Sequence, residues 1–238
     1  MMKSRNLAGI LIVPSSASSI SQLKELQDRG IPVVMLDRTF AGLDADAVMV
    51  ENRQGAKKAV HHLVDHGHRN ILCVGYDRQF NSIAQRMEGY ESIMVAAGLK
   101  PQFLVLDEGS RLGPQLLKRI RSSRPPTALF TLNNVTTSDV LSMLQRENIQ
   151  VPHDVAIVGF DDFELAGLLA VPLTAVRQPA AELGRSATKL LLDAVRSLST
   201  GVRLAHSQIV LPTELITRRS CGCEAIRRID GNRTRLAI

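Results

Sequence analysis

The sequence predicts an α/β protein with parallel sheets, and three observations carry that expectation. Short, nearly unbroken apolar runs recur, the clearest being Val155–Phe160 (VAIVGF), and a run this short reads as a strand buried on both faces. Segments with apolar residues three and four apart separate these runs, so strand and helix alternate. Carboxylates and amides fall just past the runs, as Asp161 and Asp162 do. In open α/β sheets that edge is where ligands bind.

Leu7–Val13 is the first expected strand, ending at Pro14-Ser15-Ser16. Ser18 or Ser19 can cap a helix with Ile20, Leu23 and Leu26 on one face, closed by Gly30. Pro32 introduces a strand at Val33–Leu36 ending on Asp37-Arg38, and Ala47–Val50 is a third, ending on Glu51-Asn52. Asn52 can cap a helix whose stripe is Ala56, Ala59, Val60 and Leu63, stopped by Gly67. Ile71–Val74 follows as a strand, then a helix carrying Ile83, Met87, Tyr90 and Met94 up to Gly98. Phe103–Leu106 ends on Asp107-Glu108; Leu116, Leu117 and Ile120 mark the next helix, and Pro125-Pro126 ends the connection behind it. Ala128–Leu132 ends on Asn133-Asn134, and Val140, Leu141 and Leu144 define the helix before the Val155 strand. Beyond it, Leu173–Val176 is a short extended piece ending on Arg177-Gln178-Pro179. A strongly amphipathic helix covers about Ala181–Leu198, with Leu183, Ala187, Leu190, Leu191 and Ala194 inward. Ser207–Ile216 is read as one last strand, in which Pro212 implies an edge position or a bulge.

At 238 residues, 45% apolar and 22% charged, the chain can bury a large core and has the composition of a soluble globular protein. No apolar run reaches the roughly 18 residues of a membrane span. The basic start and Leu7–Val13 mimic a signal peptide but lack a small-residue cleavage pattern, so a cytoplasmic protein is expected. The net charge of +6 does not mark a nucleic-acid surface, because residues 218–238 hold six arginines against Glu224 and Asp230 and so supply +4 of it.

Three cysteines make no disulfide framework. Cys73 lies in an apolar run and reads as core packing, while Cys221-Gly-Cys223 could bind metal or form a strained bridge. No second ligand pair stands nearby in sequence, so a reduced pair of thiols is expected. His62 and His66 have the i, i+4 spacing of a metal pair among His61, His62, His66 and His68, but no acidic partner follows the HExxH pattern, and no metal is expected. There is no GxSxG, P-loop or GxGxxG and no nucleophile–base set, so neither an enzyme nor a cofactor is expected.

The strand-end rule selects the candidate site. Asp161 can accept hydrogen bonds from ligand hydroxyls at two oxygens; its structural alternative is to cap the next helix, a role open to Asp162 as well. Asn133 can read a hydroxyl as donor and acceptor, or stabilise a turn. Asp37 and Arg38 line the end of an earlier strand, with mutual pairing as the alternative, and Gln178 ends the Leu173–Val176 piece.

Several stretches, taken together, resemble the lactose-repressor (LacI/GalR) family of bacterial transcriptional regulators. They are GIPVVMLDR at 30–38, ENRQGAKKAVHHLVDHGHRNI at 51–71, RMEGYESIMVAAGL at 86–99, PPTALFTLNN at 125–134, VPHDVAIVGFDDFELAGLLAVPLTAVRQP at 151–179 and LPTELITRRS at 211–220. The resemblance implies a periplasmic-binding-protein-like fold: two doubly wound parallel-sheet subdomains, three crossings between them, and a small effector between the two. The crossings are expected near Glu51–Gln54, Arg177–Pro179 and residues 200–206. They give an N-terminal subdomain of residues 1–53 and 178–203, a C-terminal one of 54–177 and 204–222, and a basic tail over 223–238. The chain opens at what would be the family's third strand, so the N-terminal subdomain is expected to be incomplete. Operator DNA is expected to be bound only through a helix-turn-helix domain outside this sequence. Arg86 sits at the family's RxxGY position, where its fork suits a carboxylate, phosphate or ring oxygen; a surface salt bridge is the alternative. The implied function is the effector-binding and dimerisation portion of a repressor that senses a sugar-like metabolite as a homodimer. A transport or chemosensory sugar-binding protein is the alternative.

Overall fold

The computed structural model describes residues 7–14, 20–40, 42–77, 80–107, 109–200 and 205–223. The expected Ser18 or Ser19 cap and the tail beyond Cys223 lie outside the described residues. The chain forms two compact units: residues 1–51, 80–82 and 179–212 make unit 1, and residues 52–79, 83–178 and 213–238 make unit 2.

Unit 1 is a four-stranded parallel sheet in the order β1 (Ile10–Ile12), β2 (Val33–Leu36), β3 (Asp46–Val50) and β9 (Gln208–Leu211). Side chains alternate across a strand, so β2 feeds two cores. Val33 and Met35 join Leu23 of α1 (Ile20–Asp28) with Phe40, Leu43, Ala45, Ala47 and Phe80. Val34 faces the other way, with Val48, Val50, Leu183 and Ala187, under α6 (Ala180–Thr200). Burial on both faces is why the run VVML is apolar throughout.

Unit 2 is a six-stranded sheet in the order β10 (Glu214–Ile216), β8 (Thr174–Arg177), β7 (Ala156–Phe160), β6 (Ala128–Thr131), β4 (Ile71–Asp77) and β5 (Gln102–Asp107). All neighbours are parallel except the edge strand β10. Helices α2 (Asn52–Asp65) and α3 (Asn81–Ala96) supply Ala56, Ala59, Val60, Leu63, Tyr90 and Met94 to one face. Helices α4 (Leu112–Ile120) and α5 (Asn134–Arg146) supply Leu112, Leu116, Val140, Met143 and Leu144 to the other. The central strand β7 is therefore buried at all five residues. As expected, Gly67 ends α2: its φ of +86° suits a residue without Cβ, and the His68 amide then donates to the Leu63 carbonyl.

One element differs from the sequence reading. The strand expected over Ser207–Ile216 is two strands in two sheets, β9 parallel to β3 and β10 antiparallel to β8. Pro212 has no N–H to continue a ladder, so the first strand stops at Leu211. The last passage between units accordingly falls at Pro212-Thr213, not within residues 200–206. Among the described residues no helix is long and apolar enough to cross a membrane.

Candidate functional site at the carboxyl edge of the unit 2 sheet

The chain of unit 2 first adds β5 on one side of β4 and then β6 on the other. That reversal opens a crevice outside the carboxyl ends of β4 and β6. The sequence fills it with a charge. On α3 the buried stripe runs Ile83, Tyr90 and Met94, and Arg86 falls on the same face, only 2% exposed.

A buried guanidinium must be satisfied by local acceptors. Arg86 Nε donates to Asn52 Oδ1 at the start of α2 (2.8 Å), and Nη1 donates to the Leu132 carbonyl beyond β6 (2.8 Å). Nη1 also reaches Asp161 Oδ2 at 3.1 Å, and the guanidinium carbon lies 3.7 Å from the centroid of the Phe160 ring, which adds a cation–π contact. Arg86 is therefore a buried hub rather than a surface salt bridge.

Asp161 follows β7 directly and has φ +73°, a left-handed conformation that aspartate tolerates better than most residues. The conformation brings its carboxylate back over the strand end, where Oδ1 accepts from Gln178 Nε2 at 2.5 Å. Each oxygen thus takes one hydrogen bond, and the side chain keeps 21% exposure. A carboxylate has about four acceptor positions, so Asp161 can receive further donors from solvent or ligand. It caps no helix, and neither does Asp162. The latter accepts a bidentate fork from Arg218 (2.8 and 3.0 Å) and two hydrogen bonds from Arg177 (3.0 and 2.8 Å). Burial pushes the Asp162 carboxyl up, but these two arginines outweigh it and hold it below the usual carboxylate range.

Asn133 takes the structural role. It caps α5 with Oδ1 accepting from the Thr136 amide at 2.8 Å, and is buried. In unit 1, Asp37 stands at the carboxyl end of β2 with φ +66°, so each sheet places a left-handed aspartate after one strand. Asp37 Oδ2 pairs with Arg38 Nε at 3.3 Å, and Arg38 covers the Phe80 ring at 4.6 Å. Of the six sequence-selected residues, the structure brings Arg86, Asp161 and Gln178 into one network, pairs Asp37 with Arg38, and leaves Asn133 as a cap. Asn52 and Phe160 complete the network and were not selected. Asn52 reads from sequence as a helix cap, and nothing in a strand's own pattern marks Phe160 as a stacking platform.

Two other features stand apart from this network. A concavity of about 610 Å³ in unit 1 lies at the amino ends of β2, β3 and β9 against α6, away from Asp37. Cys221 and Cys223 are bonded to each other, where the sequence reading expects free thiols; Gly222, at φ +81°, turns the backbone so that their Cα atoms come within 5.6 Å.

A family model of the periplasmic binding protein-like domain matches residues 60–221. The HTH-type transcriptional regulator DegA of Bacillus subtilis (strain 168) is 32% identical over 225 residues, covering 92% of this chain and 66% of DegA. The HTH-type transcriptional repressor CytR of Escherichia coli (strain K12) is 29% identical over 217 residues, covering 87% of this chain and 62% of CytR. The chain thus spans less than two thirds of either relative. A LacI family transcriptional regulator from Enterococcus faecium, solved with bound ribose, superposes with a TM-score of 0.78 at 25% identity, over 92% of this chain and 81% of that one.

Proposed function

The chain belongs to the periplasmic-binding-protein-like family in the form that LacI-type regulators carry, and from that premise we propose that it is the effector-sensing portion of a transcriptional repressor. The observation that carries this reading is the Arg86–Asp161–Gln178 network, a buried cation under a partly exposed carboxylate at the carboxyl edge of a doubly wound sheet. A polyhydroxylated effector suits it, since hydroxyls can donate to the remaining acceptor positions of Asp161 while accepting from Gln178. The ribose held by the Enterococcus faecium regulator is a molecule of that class. Asp37 and Arg38 are proposed as ligand contacts at the carboxyl edge of their own sheet, and Asn133 as a neighbour that fixes α5.

The role is one of binding, not turnover, as in the regulators it resembles. Operator contact is assigned to the helix-turn-helix that the names of the relatives state, and the site of action to the cytoplasm. Self-association as a homodimer fits the exposed Leu11 and Val13 on and beside the edge strand β1.

A thermal-shift screen of pentoses, hexoses, nucleosides and small organic acids tests the reading. A ligand present at 100 times its Kd stabilises the folded chain by about 2.7 kcal/mol, a clear rise in melting temperature. Failure of every pentose, hexose and nucleoside, with a hit only among the small organic acids, would overturn it.

A further inference from the structure

At the amino edge of the unit 2 sheet, opposite the candidate site, the carboxyl-terminal turn of α2 meets the last described residues of the chain. His62 and His66 lie one turn apart with ring centroids 4.2 Å from each other. His62 Nε2 is 3.1 Å from Cys223 Sγ, and the ligand atoms of His62, His66 and Cys223 all fall within 4.8 Å of one another. Cys221, bonded to Cys223, brings a second sulfur to the same place. From these positions we propose that His62, His66, Cys221 and Cys223 form a zinc site, filled when the two sulfurs are reduced.

Two imidazoles and two thiolates are a complete tetrahedral set for Zn²⁺, and ligand atoms around such an ion stand roughly 3.5 Å apart. The imidazoles are prepared for it. His66 Nδ1 lies 2.6 Å from the His62 carbonyl, which can only accept, so the proton sits on Nδ1 and the Nε2 lone pair is free to bind metal. His62 already turns Nε2 toward Cys223 Sγ.

The sulfur side is held rigidly as well. Ser220 Oγ donates to the Ile157 carbonyl at 2.7 Å and accepts from the Thr174 amide at 2.8 Å, tying the Cys-Gly-Cys turn to β7 and β8. Thr174 Oγ1 donates to Cys221 Sγ at 3.2 Å. His68, whose ring is bonded to Thr127 Oγ1 and to the Cys221 backbone, acts as a positioning residue for the turn.

Filling the site requires the sulfur–sulfur bond to be opened. A dithiol reductant supplies two electrons and two protons, becoming a disulfide itself, and leaves Cys221 and Cys223 as thiols. Zinc then displaces both thiol protons as the thiolates bind. The same four side chains thus have a bridged form without metal and a reduced form with it.

The test uses the full chain, reduced with a dithiol, desalted under argon and titrated with Co²⁺ alone, then with Zn²⁺. The expected result is one tetrahedral Co²⁺ per chain with thiolate-to-cobalt charge-transfer absorption, bound with release of the two thiol protons and then displaced by Zn²⁺ with no further release. His62→Asn and Cys223→Ser should each weaken Zn²⁺ binding by more than about 100-fold, beyond the ten- to hundred-fold lost with an outer partner such as His68. His61→Asn, whose residue is exposed and paired with Asp65, should change nothing. Circular dichroism on each variant separates a lost ligand from a lost fold, and His66→Asn serves where a cysteine variant does not fold. An octahedral spectrum, an affinity unaltered by His62→Asn, or an equal loss in His61→Asn would each overturn the proposal.

Discussion

Asp161 is the residue at which ligand recognition and backbone conformation meet. Because it is left-handed, asparagine is the replacement that keeps the turn while removing the charge. Asp161→Asn should lower effector affinity by roughly ten- to a hundred-fold, the worth of a charged hydrogen bond, as read by calorimetry. Arg86 behaves differently, because its loss leaves the Leu132 carbonyl and Asn52 Oδ1 facing an empty, buried space. Arg86→Ala should cost about 3 kcal/mol or more in urea denaturation, in addition to any effect on the ligand. Asp162 sets an acid limit. Its carboxyl is held below the usual range, so its contribution is complete above the unfolded value near 4 and disappears as the pH falls through the lower folded value. The melting temperature should therefore drop below about pH 4, and less steeply in Asp162→Asn. At this scale strand ends mark Asp161 and Gln178 in the sequence, whereas Arg86 is marked only by the RxxGY pattern of the family it resembles. The Leu132 carbonyl leaves none, since a backbone acceptor has no residue identity.

Helix against helix, α3 meets α2 at Gly89. A Cβ there would strike the Arg53 carbonyl and stand 2.8 Å from the Ala56 Cβ, so α3 crosses α2 with no room for a methyl group. Gly89→Ala gains helix propensity but forces the two helices apart; a net loss of about 1–3 kcal/mol is expected, measurable by thermal denaturation. The neighbouring Tyr90 is fully buried and bonds the Ile71 carbonyl at 2.8 Å while accepting from the Gln102 amide at 2.9 Å, tying the starts of β4 and β5 to the same helix. The helices and most strands were legible because burial on one or both faces imposes a period. β9 and β10 were read as one strand because a single apolar-alternating segment looks the same whether one sheet or two receive it. Only Pro212 hinted at the break, and a bulge would have given the same signal.

Over the whole molecule, the two units have unequal cores. Unit 2 buries large clusters on both faces of six strands, including Tyr90, Phe130 and Phe160; unit 1 buries smaller ones on four strands. Hydrogen exchange followed by mass spectrometry should show β1 and β2 exchanging well before β4, β6 and β7. Equal protection in both sets would mean that the units open together. The division of residues 208–216 between two sheets also carries a consequence for biosynthesis. β9 completes the sheet of unit 1 and β10 that of unit 2, and only Pro212 and Thr213 lie between them. On the ribosome, neither sheet can close until this one stretch has emerged. Although unit 1 starts first, both units reach their native edges within the same few rounds of elongation.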